Sequence, residues 1–226
     1  MRYYSLYMQR TPEPELMDEQ EQAAAYAAAD WSEAHEKVAA HFRSRFPDFS
    51  DGRVLDLGCG TADVTIRFAR AFPKVTILGV DGSERMLSFG RQAVRDAGLD
   101  SRITLEKRHL PDRAIENRAF DALISNSLLH HFADPVLLWR TAARCVKAGA
   151  PVMLVDLVRP RDPETAARLV REHAEGAPPV LERDFTASLH AAYEVDEVRQ
   201  QLIAAGLPHF SVERVDVLHL VAWGIA

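Results

Sequence analysis

Apolar runs and amphipathic stretches alternate through the middle of the chain. The apolar runs predict strands at residues 54–57, 75–80, 103–105, 122–125 and 151–156. Helices are predicted between them, beginning near Thr61, Ser83 and Pro135; Asp134 and Pro135 form an N-cap followed by proline at the first helical position. This alternation predicts a parallel sheet with helices on both faces, a doubly wound α/β fold.

The two ends of the chain have different patterns. Apolar residues recur at three- and four-residue intervals from Pro12 to about Phe46, with a break near Asp30 and Trp31, which predicts an N-terminal helical cover. Residues 160–179 are polar and bounded by prolines, which predicts a mobile helix and loop. Residues 195–205 predict a helix that ends at Gly206, and residues 210–215 and 217–225 predict an antiparallel hairpin at the sheet edge.

Composition narrows the class of protein. The 226 residues are 47% apolar, which suits one compact domain with a small appendage. The two cysteines, Cys59 and Cys145, form neither a disulfide framework nor a metal-ligand pattern, so we expect a reducing compartment and no structural zinc. A net charge of −6 disfavours a nucleic-acid partner. With no long apolar stretch and no signal-peptide layout, we expect a cytoplasmic protein without a membrane partner.

The string VLDLGCGTADV, residues 54–64, carries a Gly-x-Gly turn between two carboxylates. A dinucleotide-binding turn needs a third small residue where this chain has Asp63. Asp63 would compete with a pyrophosphate for the loop amides, and Asp56 adds a second negative charge at the strand end. We therefore expect a cationic ligand without phosphate. S-adenosylmethionine (SAM) fits, because the carboxylates can take its ammonium while the loop amides face its methionine end.

A third carboxylate follows the second predicted strand, in LGVDGSERM. Asp81, ahead of Gly82, is placed to accept hydrogen bonds from both ribose hydroxyls of a nucleoside. Met86, one helical turn further on, can cover an adenine face. The alternative is that Asp81 only caps a helix in an ordinary turn.

These motifs, together with FDALISNSLLHHFADP, are similar in order and spacing to those of class I SAM-dependent methyltransferases. The resemblance covers roughly residues 50–160, and the terminal hairpin agrees with the seventh strand of that family. The stretch PEPELMDEQEQAAAYAAAD also resembles the opening of a bacterial subgroup. The resemblance implies a Rossmann-like sheet in a single domain, with a helical cap (1–50), a SAM-binding core (51–160), and lid helices with the hairpin (161–226).

The resemblance also assigns residues to the cofactor, whose product form is S-adenosylhomocysteine. Gly58, Cys59 and Gly60 would lie along the methionine part, and Asn126 beside the methionine or the sulfonium. Tyr26 would close over the methionine carboxylate. The family commonly has an acid that accepts from the adenine amine after the third strand.

This chain has His109 near the position of that acid. A neutral imidazole can accept through one nitrogen, and backbone groups of His109 and Leu110 could also contact adenine.

Candidate residues for the chemistry lie at the exit of the fourth strand. His130 or His131 could face the pocket as a base or a substrate contact, or could hold the loop in shape. Adjacent histidines in extended chain point to opposite sides, so we expect no joint metal site and no metal ion.

Four further residues are candidate substrate contacts, each with a simpler alternative. Arg159 could pair with a substrate carboxylate or be an exposed loop arginine. His190 and Tyr193 lie in a segment that is either a lid over the pocket or an ordinary amphipathic helix. Trp31 could form a wall of the substrate site or belong to the core.

Three functions remain open from the sequence. The first is methyl transfer to a small molecule; Ser125-Asn126-Ser127 replaces the Asn/Asp-Pro-Pro-aromatic motif, which disfavours adenine and glutamine as acceptors. The second, a dinucleotide-dependent reductase, is disfavoured because no lysine follows a tyrosine by four residues. The third is a SAM-binding sensor, cofactor-modifying enzyme or assembly subunit without transferase activity. An exposed sheet edge near the hairpin would allow a homodimer.

Overall fold

The structure, a computed structural model, describes residues 8–14 and 16–226. Residues 1–7 and Glu15 of the predicted cap therefore lie outside the described residues. Seven strands form one sheet in the order β3-β2-β1-β4-β5-β7-β6. The strands are β1 Asp51–Leu57, β2 Lys74–Asp81, β3 Ile103–Lys107, β4 Ala122–Asn126, β5 Pro151–Leu157, β6 Ser211–Arg214 and β7 His219–Ile225. β1 to β5 are parallel, and β7 runs antiparallel to both β5 and β6.

Eight helices accompany the sheet in the described part of the chain. They are α1 Gln20–Ala28, α2 Ser32–Arg45, α3 Asp63–Ala71, α4 Glu84–Asp96, α5 Pro135–Cys145, α6 Pro163–His173, α7 Pro179–Ala191 and α8 Val195–Ala205. Among these residues, no helix has both the length and the apolar composition that a membrane crossing requires.

Successive residues of the central strands serve two separate cores. In β1, Val54 packs into a core that includes Phe42 of α2 and Phe68 of α3. The next residue, Leu55, packs into a core on the other face with Trp139 of α5. Since strand side chains alternate between the faces, a strand buried on both faces reads as a continuous apolar run. The doubly wound sheet with a terminal antiparallel hairpin, predicted from the sequence, is confirmed.

The N-terminal segment differs from the prediction, because its helices begin only at Gln20. Pro12 and Pro14 have no backbone N–H and disfavour helix in the residues before them, so the periodicity here does not produce a helix. Residues 8–14 and 16–19 instead form an irregular segment, the N-terminal strap. Its Met8 N–H donates to Arg161 O at 2.7 Å, and its Thr11 N–H donates to His190 O at 2.9 Å.

The last third agrees closely with the sequence pattern. The predicted helix over 195–205 is α8, and Gly206 ends it in the left-handed conformation with φ of 85°. Glu194 and Glu197 form a capping box at its start. The segment interpreted as a lid or an amphipathic helix is α7, one side of which packs against α6.

A tight turn joins β1 to α3 and brings the chain back over the sheet edge. Gly58 and Gly60 have φ of 72° and 51°, the left-handed region that favours glycine. A Cβ on Gly58 would lie 2.7 Å from Leu128 Cδ1 and 3.0 Å from its Cβ. Gly58 is therefore required both by its backbone conformation and by the close approach of the β4 exit.

We expect Gly58→Ala to lower the free energy of unfolding more than Gly149→Ala does. Both glycines have positive φ, 72° and 83°, so both substitutions carry about 1–2 kcal/mol of backbone strain. Only Gly58 adds a collision with Leu128, worth about 1–3 kcal/mol more; a Cβ on Gly149 meets no described atom within 4 Å. Urea denaturation measures both, and equal losses would show that the turn can relax around the methyl group.

Candidate active site

A cavity of about 870 Å³ opens where the parallel strands end, at the carboxyl edge of the sheet. Ligand sites in doubly wound folds lie at this edge. All the cofactor residues predicted from the sequence line it: Tyr26, Asp56, Gly58, Cys59, Gly60, Asp63, Asp81, Gly82, Met86, His109, Leu110 and Asn126. His130, His131 and Trp31 line it too. Residues that are distant in the sequence thus meet because strands β1, β2 and β4 end side by side.

Asp81 joins the glycine turn to the start of α4. Its carboxylate accepts from Gly60 N–H at 2.9 Å and from Ser83 N–H at 2.8 Å. Burial raises the pKa of Asp81, although these hydrogen bonds oppose that effect. A Cβ on the neighbouring Gly82 would lie 2.5 Å from Leu16 of the strap and 3.3 Å from His109 Nδ1. The strap and His109 therefore close tightly around this carboxylate.

The two carboxylates that flank the turn have different environments. Asp56 is 1% exposed and accepts from Thr65 Oγ1 at 2.6 Å, and burial raises its pKa to about 7. Asp63 Oδ2 lies 2.7 Å from His35 Nδ1 and accepts from Arg67 Nε at 2.9 Å. Burial alone would raise the pKa of Asp63, but these partners lower it overall.

The electrostatic argument from the sequence is therefore corrected in part. The Arg67 guanidinium already pairs with Asp63, whereas Asp56 has no cationic side chain as a hydrogen-bond partner among the described residues. Asp63 sits at the start of α3, so Arg67 is one helical turn away and reaches it by ordinary i,i+4 pairing. That spacing was readable from the sequence; the approach of His35 from α2 was not.

Aromatic rings and a methionine form apolar parts of the cavity wall. Tyr26 stacks on Trp31 with ring centroids 4.8 Å apart, and Trp31 Nε1–H donates to Tyr26 O at 2.9 Å. Met86 is buried, with its Cε 3.3 Å from where a Cβ on Gly60 would be. Burial, together with the charges of nearby carboxylates, raises the pKa of the Cys59 thiol. Cys59 is therefore a packing residue with an unreactive thiol.

Beyond the turn, the cavity reaches a cluster of Glu13, His130 and His131, here called the histidine cluster. The two histidines belong to a 3₁₀ turn, Leu129–His131, and their ring centroids are 4.3 Å apart. The expectation that they point to opposite sides is wrong, because a 3₁₀ turn rotates each residue by about 120° rather than the 180° of a strand. Both rings line the cavity.

A buried carboxylate orients His130. Asp156 Oδ1 lies 2.5 Å from His130 Nδ1, and Asp156 Oδ2 accepts from Leu129 N–H at 2.6 Å. Burial would lower the pKa of His130, but the charges of Asp156 and Glu13 raise it overall. Because Asp156 engages Nδ1, Nε2 is the atom that His130 presents to the cluster.

The N-terminal strap supplies the third member. Glu13 Oε1 lies 3.3 Å from His130 Nε2 and 3.5 Å from His131 Nδ1, and Ser188 Oγ–H donates to Glu13 Oε2 at 3.2 Å. Burial raises the pKa of Glu13. Burial and the charge of His130 lower the pKa of His131 to about 3, so His131 is neutral.

Sequence reasoning missed both Glu13 and Asp156. Asp156 had a signal, as the single polar residue in the otherwise apolar strand PVMLVDL. Glu13 had none, since nothing local to it points to histidines more than a hundred residues away.

Three predicted substrate residues lie outside the cavity. Arg159 is buried and donates to Met8 O, Ala192 O, Glu194 and Glu197, because a bridge between Val158 and Tyr193 turns it towards α8. Tyr193 O–H donates to Phe132 O at 2.7 Å. The carbonyl of His190 accepts from the strap. These residues hold the strap and the β4 exit in place instead of meeting a ligand.

Comparison with known proteins agrees with this geometry. Residues 54–149 match the family described as Methyltransferase domain. The chain is 35% identical over 113 residues to demethylmenaquinone methyltransferase of Porphyromonas gingivalis, covering 50% of this chain and 46% of that protein. It is 27% identical over 199 residues to 27-O-demethylrifamycin SV methyltransferase of Amycolatopsis mediterranei, covering 87% of this chain and 68% of that protein. These matches support the resemblance to SAM-dependent methyltransferases that the sequence motifs carry.

Solved structures of this methyltransferase fold superpose over nearly the whole chain. A SAM-dependent methyltransferase from Aquifex aeolicus has a TM-score of 0.65 at 16% identity, covering 91% of this chain and 97% of that one. At that identity the likeness shows the fold alone. The chain spans about half the length of the Porphyromonas relative. SAM is the cofactor of the family.

The pairing of His130 with Asp156 predicts a pH-dependent stability difference. Since the folded pKa of His130 is raised, its contribution is fully present below the unfolded value of about 6.5 and is lost as the pH rises through the folded value. In Asp156→Asn, burial without the anion lowers that pKa instead. We expect the variant to lose about 3–5 kcal/mol of unfolding free energy at pH 6 and less at pH 8.5.

Urea denaturation of both proteins at the two pH values, in metal-free buffer, measures this difference. An equal loss at pH 6 and pH 8.5 would mean that His130 is not protonated in the folded state.

Proposed function

We propose that this methyltransferase carries a methyl group from SAM to a small-molecule acceptor with an ionisable hydroxyl. One observation carries the proposal: a single cavity is lined both by the predicted SAM residues and by His130 and His131, and the buried Asp156 orients His130. A SAM-binding sensor would need the first end alone. The relatives' names describe small-molecule methylation, in one case at an oxygen.

In this proposal SAM lies across the ends of β1, β2 and β4. Asp81 accepts from the ribose hydroxyls, and His109 and Leu110 face the adenine beside Met86. Asp56 and the amides of the glycine turn meet the methionine end, with Tyr26 over it and Asn126 beside the sulfonium. The support is that these residues all line the same cavity.

The acceptor would occupy the other half of the cavity. Apolar residues of the cavity lining, among them Phe132, Leu157, Leu181, Phe185 and Leu218, would face it. Such a lining suits a flat apolar or aromatic body. Polar residues, including Asp184, Ser188, His130 and His131, line the same cavity, and we place the hydroxyl at the two histidines.

The reaction needs alignment and loss of a proton. The acceptor's nucleophilic atom forms a bond to the methyl carbon as the S–CH₃ bond breaks, and that electron pair remains on sulfur to give S-adenosylhomocysteine. The hydroxyl proton is lost at the histidine cluster, because a neutral hydroxyl is a poor nucleophile. The strap and α7 exclude water and hold the reactants in line.

Three further expectations concern the setting of the protein. Two buried free cysteines agree with a reducing, cytoplasmic location. The net negative charge disfavours nucleic-acid partners, and we expect no membrane partner. A homodimer through the exposed sheet edge remains a prediction.

SAM binding should release protons at pH 7. Asp56, with a pKa of about 7, is about half ionised there, and an ammonium beside it favours the ionised form. Calorimetry in buffers of different ionisation enthalpy should therefore report release of up to about half a proton per site. Asp56→Asn should abolish the release.

Asp63→Asn is the matched control for that experiment. Its lowered pKa keeps Asp63 ionised with or without ligand, so the release should persist in this variant. Absence of proton release in the unaltered protein would place the ammonium away from Asp56.

Transfer itself is tested by incubating the protein with SAM and a panel of phenols, hydroquinones and apolar alcohols. We expect S-adenosylhomocysteine and a singly methylated product by mass spectrometry. His130→Gln and His131→Gln should each lower kcat by at least about 100-fold with unchanged affinity for SAM. SAM binding without a methylated product from any acceptor would favour the non-transferase alternative.

A further inference from the structure

We propose that the histidine cluster is a metal site, in which Glu13, His130 and His131 hold a divalent transition-metal ion of the zinc class. The inference rests on the proposed function only for its consequence, activation of the acceptor hydroxyl. The site itself follows from the positions of three side chains.

The spacing of the ligand atoms fits a tetrahedral ion. Glu13 Oε1 lies 3.3 Å from His130 Nε2 and 3.5 Å from His131 Nδ1, and the three residues can offer one ligand atom each within 4.8 Å of one another. Tetrahedral zinc with bonds of about 2.0–2.1 Å separates its ligand atoms by roughly 3.3–3.5 Å. The two glutamate–histidine distances are longer than good hydrogen bonds and match this separation.

The surroundings of His130 are those of a metal ligand. A metal-binding histidine usually gives its other ring nitrogen to a carboxylate, which fixes the tautomer and the ring orientation. Asp156 does this at Nδ1, and Leu129 and Leu157 N–H groups hold Asp156 in turn. The lone pair of Nε2 is thereby directed at the cluster.

Glu13 provides an independent indication. Its Oε1 atom is buried and has no hydrogen-bond partner among the described residues, whereas Oε2 receives Ser188 Oγ–H. Leaving a buried acceptor unpaired is destabilising, more so when the acceptor is charged. A cation at the centre of the cluster would satisfy it.

His131 would be the third ligand, and binding the ion would require it to give up one existing contact. Its Nδ1 atom lies 3.2 Å from Pro14 O, and that contact must be given up for Nδ1 to bind the ion.

Three protein ligands leave a fourth position open. Both histidines line the cavity, so that position faces the acceptor half. An acceptor hydroxyl bound there would lose its proton to a cavity water, since a bound divalent ion lowers the pKa of a coordinated oxygen. The resulting oxyanion is the nucleophile for the methyl carbon. The ion would also fasten the strap to the sheet, because Glu13 comes from the strap.

The test uses chelator-treated, full-length protein titrated with Zn²⁺ by calorimetry and with Co²⁺ by visible absorption. We expect one ion per chain and the intense d–d bands of four-coordinate Co²⁺, with Mg²⁺ failing to compete. Glu13→Gln and His131→Gln should weaken binding by at least about 100-fold, and Asp156→Asn by about 10–100-fold. His173→Gln, on the cavity rim, should bind as the unaltered protein does.

Thermal melting in chelator shows that each variant is folded before titration. The proposal would be overturned if the unaltered protein bound no ion, or if Glu13→Gln and His131→Gln bound it as tightly as the unaltered protein does. The close approach of Glu13 to His130 would then be explained by a proton shared between them.

SAM calorimetry on the same samples separates the two proposals. Methyl transfer that persists in chelator overturns the role of the ion in activating the acceptor hydroxyl and leaves the proposed function, whereas the ion titration alone decides whether the site exists. Ion binding without SAM binding removes the function and leaves the site.

Discussion

The burial of one carboxylate organises the working end of this protein. Asp156 is 2% exposed on the central strand β5, and a buried charge is tolerated only when it is paired and hydrogen-bonded. It obtains those partners from the exit of the neighbouring strand, through Leu129 N–H and the His130 ring. The 3₁₀ turn, the direction of His130 and the approach of Glu13 all follow from that requirement.

Charge at the other end of the cavity is arranged differently. His35 and Arg67 pair with Asp63, so the turn is less negative than its sequence indicates. Asp56 is left with a hydroxyl partner only and Asp81 with backbone amides. The acids that can respond to a ligand are therefore those at the strand ends, and the acid at the helix start serves to position α2 against α3.

The features that could be predicted from the sequence are those set by neighbouring residues in the chain. The strands follow from apolar runs. The residues predicted for the cofactor, apart from Tyr26 on α1, line one cavity because they lie within a few positions of strand ends, which a parallel sheet brings together. Contacts between distant parts of the chain were not predictable. Glu13 contacts His130, 117 positions away, and its neighbour Pro14 contacts His131, also 117 positions away. Arg159 was misplaced for the same reason, since Ala192 and Glu197 determine its surroundings.

The N-terminal strap covers both halves of the cavity with one short stretch of chain. Leu16 packs over Gly82 and Asp18 accepts from Ser83 beside the nucleoside end, while Glu13 reaches the histidines at the other. Loading of the two reactants is thus not independent, because displacing the strap for one uncovers the other.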